Sequence, residues 1–173
     1  FADSGMTDID LTGFDYSNVQ NMESMFQGCR YLQKLDLGDS ETSALQGSLA
    51  YMFQNCSALT DLDIHALRTK NVTKMSNMFY YVSVLKSLDL SNFETSNVTD
   101  MYDMFYHMEK VESLDVSSFD TSKVTSMAYM FGYCNKLQNL DVSNFDVSNV
   151  TSVYSMFDSD YSLQTLDISG LNF

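Results

Sequence analysis

One aspartate recurs between two aliphatic residues at a constant spacing along this chain of 173 residues. The motif reads LDLSNFETSNVTDMYDMF from Leu88, LDVSSFDTSKVTSMAYMF from Leu114 and LDVSNFDVSNVTSVYSMF from Leu140. In an extended segment alternate side chains point to opposite faces, so we expect the aliphatic residues to point inward and the aspartate outward. The outward place holds a column of carboxylates: Asp10, Asp36, Asp63, Asp89, Asp115, Asp141 and Asp167.

A column of carboxylates requires compensation, because like charges opposite each other on neighbouring strands repel. Ser and Asn residues occupy the adjacent outward places, and we expect their hydroxyl and amide groups, with water, to satisfy the column. The alternative is a calcium site at Asp36, Asp61 and Asp63, because these oxygen ligands fall on one face. No EF-hand spacing supports this alternative. No other cofactor is expected.

A second group of chemically active residues lies where the repeat becomes irregular. The segment HALRTKNVTK gathers His65, Arg68, Lys70 and Lys74 within ten residues of an acidic chain. One interpretation is electrostatic relief, in which Arg68 pairs with Glu41 of the preceding repeat. The other is a binding surface for an anionic group, which also includes the three aspartates of the calcium alternative.

Tyrosines form a further candidate surface. They fall between the apolar positions of the later part of each repeat, and we expect them either to contact a partner or to fill grooves between neighbouring repeats. They are Tyr51, Tyr80, Tyr81, Tyr102, Tyr106, Tyr129, Tyr133 and Tyr154.

Composition and residue placement argue against several classes of function. A net charge of −14 disfavours binding to nucleic acid and to anionic membrane surfaces. No apolar run is long enough to insert into a membrane. Catalysis is not expected, because His65 and His107 fall on outer faces while Cys29, Cys56 and Cys134 occupy inward places as free thiols.

These side chains must be positioned by a repeating fold. The first aliphatic residue of each unit recurs every 26 residues, with one step of 27, which is typical of a solenoid. The units start at Ile9, Leu35, Leu62, Leu88, Leu114, Leu140 and Leu166. Later in one unit, Met101, Met104, Phe105 and Met108 have the spacing of the apolar side of a short helix, and Thr99 precedes them as a candidate N-cap. We therefore predict one repeat domain over residues 1–173.

The predicted fold class is an α/β solenoid, a curved right-handed stack with leucine-rich-repeat-like units. About seven short strands form one parallel inner sheet, at 9–11, 35–37, 62–64, 88–90, 114–116, 140–142 and 166–168, with six short helices outside. Curvature is expected because strands about 4.8 Å apart must match helices about 10 Å across. The phenylalanine of each unit is expected to stack in one internal column: Phe26, Phe53, Phe79, Phe105, Phe131 and Phe157.

The repeated motif from Leu88 to Phe105, from Leu114 to Phe131 and from Leu140 to Phe157 resembles the 26-residue repeat of BspA-like leucine-rich-repeat surface proteins of bacteria. The resemblance implies an exported cell-surface or secreted protein that adheres to a host extracellular protein or glycan. The alternatives are a spacer that projects a distal domain and a calcium-binding surface solenoid. Neither end of the sequence has an atypical polar cap, so we expect a fragment of a longer array.

Overall fold

Each repeat begins with an extended segment in which a buried or half-buried aliphatic residue lies between polar residues. The computed structural model describes residues 1–171, and within them the strands are short. They are β1 (Lys34–Asp36), β2 (Gly47–Ser48), β3 (Asp61–Asp63), β4 (Val72–Lys74), β5 (Asn139–Asp141) and β6 (Thr165–Asp167). They pair in parallel as β1 with β3, β2 with β4 and β5 with β6. In the β1–β3 and β5–β6 pairs the register places leucine opposite leucine: Leu35 with Leu62 and Leu140 with Leu166.

The predicted seven-stranded sheet is wrong, because the described residues form three two-stranded sheets. Four of the predicted strands form one residue earlier than expected, whereas the segments 9–11, 88–90 and 114–116 are not strands. Side chains at the first strand position explain part of this difference. Lys34 pairs with Asp61 at 3.1 Å and Thr165 donates to Asn139 at 2.5 Å. Such cross-strand pairs stabilise a sheet.

The two non-strand segments in the middle of the chain lack that support. Ser87 and Ser113 hold the corresponding place there, and neither side chain makes a hydrogen bond within residues 1–171. Leu88 and Leu114 are nevertheless buried, so the backbone keeps the same inward face. A single backbone hydrogen bond, from Glu112 N to Lys86 O at 3.0 Å, joins the two repeats near this position.

The predicted helices are also wrong, because the described part of the chain contains no helix. In their place each repeat forms consecutive turns. Successive backbone amides there alternate between an acceptor in the same repeat and an acceptor in the next one. Met104 N donates to Met101 O three residues back, whereas Asp103 N donates to Ala128 O and Phe105 N to Met130 O of the next repeat. The hydrogen bonds that would build a helix therefore join neighbouring turns of the coil, which we call rungs.

A left-handed backbone conformation recurs at two positions four residues apart in these turns, and it interrupts any helix. Asp103 has a φ of 56° and His107 a φ of 60°. Other rungs repeat the pair, for example at Tyr129 and Tyr133. The turns return apolar side chains to the core at the same three- and four-residue spacing as a helix, so the sequence pattern alone does not distinguish the two structures.

The phenylalanine column is confirmed. Rings from Phe26 to Phe157 stack with centroids 5.5–5.8 Å apart in successive rungs. This spacing is far below the width of a helix. The predicted curvature depended on helices wider than the strand spacing, so that reason for it no longer applies. One hydrophobic core runs through the rungs from Ile9 to Met156. Residues 172–173, which the single-domain prediction included, lie outside the described residues.

Side-chain hydrogen bonds between rungs hold the corners of the coil. Thr99 was expected to cap a helix, but its hydroxyl donates to Thr73 O at 3.1 Å, and the Thr125 hydroxyl donates to Thr99 O at 3.0 Å. The Asn144 side-chain amide donates to Phe119 O at 2.9 Å. The Thr73 and Thr99 carbonyls also accept the Thr99 and Thr125 backbone amides, so the threonine hydroxyls add a second donor to each.

Candidate functional site

The aspartate column is satisfied locally. Asp89 Oδ1 accepts a hydrogen bond from Ser91 N at 2.9 Å, and Asp115 Oδ1 accepts one from Ser117 N at 3.0 Å. The backbone hydrogen bond from Ser91 lowers the pKa of Asp89. Backbone amides two residues later therefore supply one donor to the column, and the expected serine hydroxyl groups supply another, as Ser91 does for Asp89 and Ser117 for Asp115. The same backbone bond forms at each member of the column.

His65 adds an imidazole to this column. Ligand atoms of Asp36, Asp63 and His65 lie within 4.8 Å of one another on an exposed surface. His65 Nδ1 lies 2.7 Å from Asp63 Oδ1, and His65 Nε2 lies 3.4 Å from Asp39 Oδ1. The hydrogen bond to Asp63 raises the pKa of His65. In turn, the backbone hydrogen bond from His65 lowers the pKa of Asp63.

This group of ligands differs from the calcium alternative. Asp61 is outside it, and its carboxylate pairs with Lys34 at 3.1 Å. Two carboxylates and an imidazole suit a transition metal such as zinc better than calcium, which prefers oxygen ligands alone. Asp36 Oδ1 and Asp63 Oδ1 also already accept backbone hydrogen bonds at 2.7 and 3.0 Å.

Among the basic residues of the irregular repeat, Arg68 forms an ion pair, whereas Lys70 and Lys74 form none in the described part of the chain. Arg68 pairs with Glu41 of the preceding rung and also donates to His65 O at 2.7 Å. Lys70 and Lys74 are exposed and form no ion pair within residues 1–171. The geometry therefore gives Arg68 the electrostatic role that the first interpretation assigned to it, and it leaves the two lysines accessible.

The tyrosines form a connected surface over the turns. Tyr106 contacts Tyr80, Tyr129 and Tyr133 with ring centroids 5.4–5.5 Å apart. His107 stacks on Tyr133 at 4.3 Å. The rings thus fill grooves between rungs, as one alternative expected, although Tyr102 and Tyr154 remain exposed.

Sequence reasoning missed one residue in this surface. Asp103 is only 7% exposed, and its Oδ1 has no hydrogen-bond partner within the described chain. Burial, with a smaller effect from the charge of Asp100, raises the pKa of Asp103 to about 6. The turns cause this burial, because a helix with the same apolar stripe would have pointed Asp103 to solvent. Its place in the neighbouring rungs is held by Asn77 and Tyr129, so the unusual residue type was the available signal.

The sequence that forms the rungs matches a known protein family. The family model described as Mycoplasma protein of unknown function, DUF285, matches residues 1–113 and again residues 47–170. The chain belongs to the DUF285 family. No curated protein sequence matches it.

Among solved structures, this member of the DUF285 family is similar to a leucine-rich repeat protein from Bacteroides ovatus ATCC 8483. The two are 18% identical with a TM-score of 0.49, over 84% of this chain and 40% of that one. The chain thus spans less than half the length of that protein.

The three cysteine thiols offer no reactive group. Cys29, Cys56 and Cys134 are free and buried, as expected, and burial raises the pKa of Cys56 to about 12. A thiolate nucleophile is therefore unfavourable there. No helix in the described residues is long and apolar enough to cross a membrane. The expectation that the chain is not an enzyme stays a prediction.

Proposed function

We propose that this chain is a non-enzymatic, adhesive or ligand-binding segment of a bacterial cell-surface protein of the BspA-like type. Its partner would be a host extracellular protein or glycan. The stack supports this role because inter-rung hydrogen bonds and one continuous core hold surface side chains on a stiff scaffold. A stiff scaffold loses little conformational entropy on binding.

The observation that carries the proposal is the exposed surface around His65, Lys70 and Lys74. In the regular rungs serine occupies the place of His65 and of Lys70, so the irregular rung replaces small polar groups with basic or titratable ones. Lys70 O accepts a hydrogen bond from the Asn97 side chain at 2.9 Å, which fixes the backbone beneath the lysine. We define the basic surface as His65, Arg68, Lys70 and Lys74.

The partner group for this surface is an anion, such as a carboxylate or sulfate on a glycan or an acidic protein loop. The net charge of −14 repels such a group at long range, so attraction operates only at short range. Binding is therefore expected to strengthen at first as moderate salt screens the global repulsion, and then to weaken as salt screens the local pairs.

The experiment replaces Arg68, Lys70 and Lys74 together by alanine and measures binding to sialylated and sulfated glycans and to matrix proteins. The matched control replaces Arg30, Lys86 and Lys136 by alanine, because these exposed residues change the net charge equally and lie outside the basic surface. Lost binding in the first variant alone supports the proposal. Equal binding by both variants shows that the basic surface does not contact the partner.

The two alternatives give different results in the same assay. A spacer binds no partner with either variant or with the unmodified chain. A calcium-binding solenoid binds in calcium and loses binding when a chelator is added, whichever basic residues are present. Melting temperatures of both triple variants show whether a loss of binding is only a loss of folding.

A further inference from the structure

A cavity lined by aromatic rings and one carboxylate lies in the tyrosine surface. Its volume is about 220 Å³, and we call it the tyrosine pocket; its lining residues are Tyr80, Tyr102, Asp103, Tyr106 and Tyr129. Tyr80 and Tyr106 stack at 5.5 Å, whereas Tyr102 and Tyr129 meet edge to face at 6.1 Å. The rings come from three successive rungs, so the pocket exists only in the assembled coil.

Small residues in the next rung shape this pocket. Ala128 and Gly132 hold the places that Tyr102 and Tyr106 occupy one rung earlier. A Cβ on Gly132 would lie 3.0 Å from the ring of Tyr106, so the absence of a side chain lets this ring lie close to the backbone. The two tyrosines therefore have room to turn toward Tyr129.

Asp103 is the chemically distinctive wall of the pocket. Its Oδ1 is buried without a hydrogen-bond partner, and no Lys, Arg or His within residues 1–171 forms an ion pair with it. The nearby charge of Asp100 is of the same sign and increases the cost of ionisation. A hydrogen bond with the Tyr102 side chain lowers the pKa of Asp103, but burial outweighs it and Oδ1 still has no partner. A buried carboxylate that is only partly satisfied destabilises a fold, and such groups are common where a ligand supplies the missing partner.

The ligand chemistry follows from these walls. Aromatic faces attract organic cations, and a carboxylate adds a counter-charge and a hydrogen-bond acceptor. The unpartnered Oδ1 can accept a hydrogen bond, which a protonated amine can donate and a quaternary ammonium ion cannot. A hard metal ion is a poorer occupant, because the pocket offers it a single carboxylate among phenol rings.

We propose that the tyrosine pocket binds a protonated alkylammonium group, with Asp103 as its counter-ion and hydrogen-bond acceptor and the tyrosine rings around its alkyl stem. The group belongs either to a free polyamine or to a lysine side chain of a partner protein. This site does not include the basic surface, so it extends the proposed function and is tested separately from it.

The experiment titrates the chain with n-butylammonium chloride and follows binding by calorimetry and by NMR of the butyl protons. We expect upfield shifts of these protons, because they lie over ring faces, and none with sodium chloride at equal ionic strength. Asp103→Asn keeps the size of the side chain and its tolerance of a left-handed backbone, and should weaken binding about tenfold or more. Glu112→Gln removes an exposed carboxylate and should leave binding unchanged.

Further ligands separate the contributions. Trimethylbutylammonium keeps the charge but has no N–H group, so weaker binding supports the hydrogen bond to Asp103. Lysine amide and spermidine distinguish the two sources of the alkylammonium group. Tighter binding of lysine amide favours a lysine side chain of a partner, and tighter binding of spermidine favours a free polyamine. Absence of butylammonium binding, or equal binding by the chain and by folded Asp103→Asn, overturns the proposal. Neither result changes the interpretation of the basic surface, which the triple-alanine variants test.

Discussion

The ring of Tyr106 lies against the backbone of Gly132, where a Cβ would come within 3.0 Å of two ring carbons. Gly132→Ala should therefore displace the ring and weaken n-butylammonium binding about three- to tenfold, measured by calorimetry. Gly5→Ala is the matched control, because no atom lies within 4 Å of a Cβ built there. Unchanged binding in Gly132→Ala would contradict the prediction that the close approach of Tyr106 to Gly132 shapes the pocket.

Phe105 stacks on Phe79 at 5.8 Å and on Phe131 at 5.6 Å and is fully buried. Phe105→Ala should lower the free energy of unfolding by about 3 to 5 kcal/mol, because it leaves a cavity in the core. Urea denaturation measures this change. Phe14→Ala serves as the exposed control, and a loss below about 1 kcal/mol at Phe105 would contradict the stacked column.

The ionised Asp103 side chain should lower the free energy of unfolding at neutral pH. Its pKa is raised from 3.8 to about 6, so between these two pH values the folded state holds a proton that the unfolded chain has released. The cost is absent below pH 3.8, grows as pH rises toward 6 and is constant above. Asp103→Asn should thus raise the free energy of unfolding by about 1 to 3 kcal/mol at pH 7.5 and by almost nothing at low pH.

Asp115→Asn is the control with the opposite sign. Hydrogen bonds from Ser117, chiefly from its side chain, lower the pKa of Asp115, so its stabilisation is present above the unfolded pKa and is lost as pH falls. The asparagine variant should be slightly less stable than the unmodified chain at pH 7.5. Denaturation at several pH values measures both variants, and the same pH profile for both would contradict the burial of Asp103.

Calcium should have little effect on the aspartate column. A ligand that prefers the folded state raises the melting temperature, but the Oδ1 atoms of Asp36 and Asp63 already accept backbone hydrogen bonds. We expect millimolar calcium to leave the melting temperature equal to that in sodium chloride of the same ionic strength. A calcium-specific rise that Asp36→Asn abolishes would establish the alternative of a calcium-binding solenoid.

The sequence by itself determined the repeat and the inward face of each rung. Side chains alternate between the two faces of an extended segment, and only one face is buried. Leu35, Leu62 and Leu140 must therefore point inward. The same reasoning placed Phe105 in a stacked column and Cys134 in the core, since a fixed period aligns equivalent side chains. These features depend on hydrophobic side chains and their spacing, which the sequence records directly.

Only the tertiary structure decided how the backbone closes each rung and what surrounds Asp103. Met101, Met104 and Phe105 have the spacing of a helix, but amides such as Phe105 N bond to the next rung rather than within a helix. That choice depends on the neighbouring rung, which supplies the acceptors and which local propensity does not include. Asp103 becomes buried for the same reason, because rings from adjacent rungs close over a residue that a helix would have exposed to solvent.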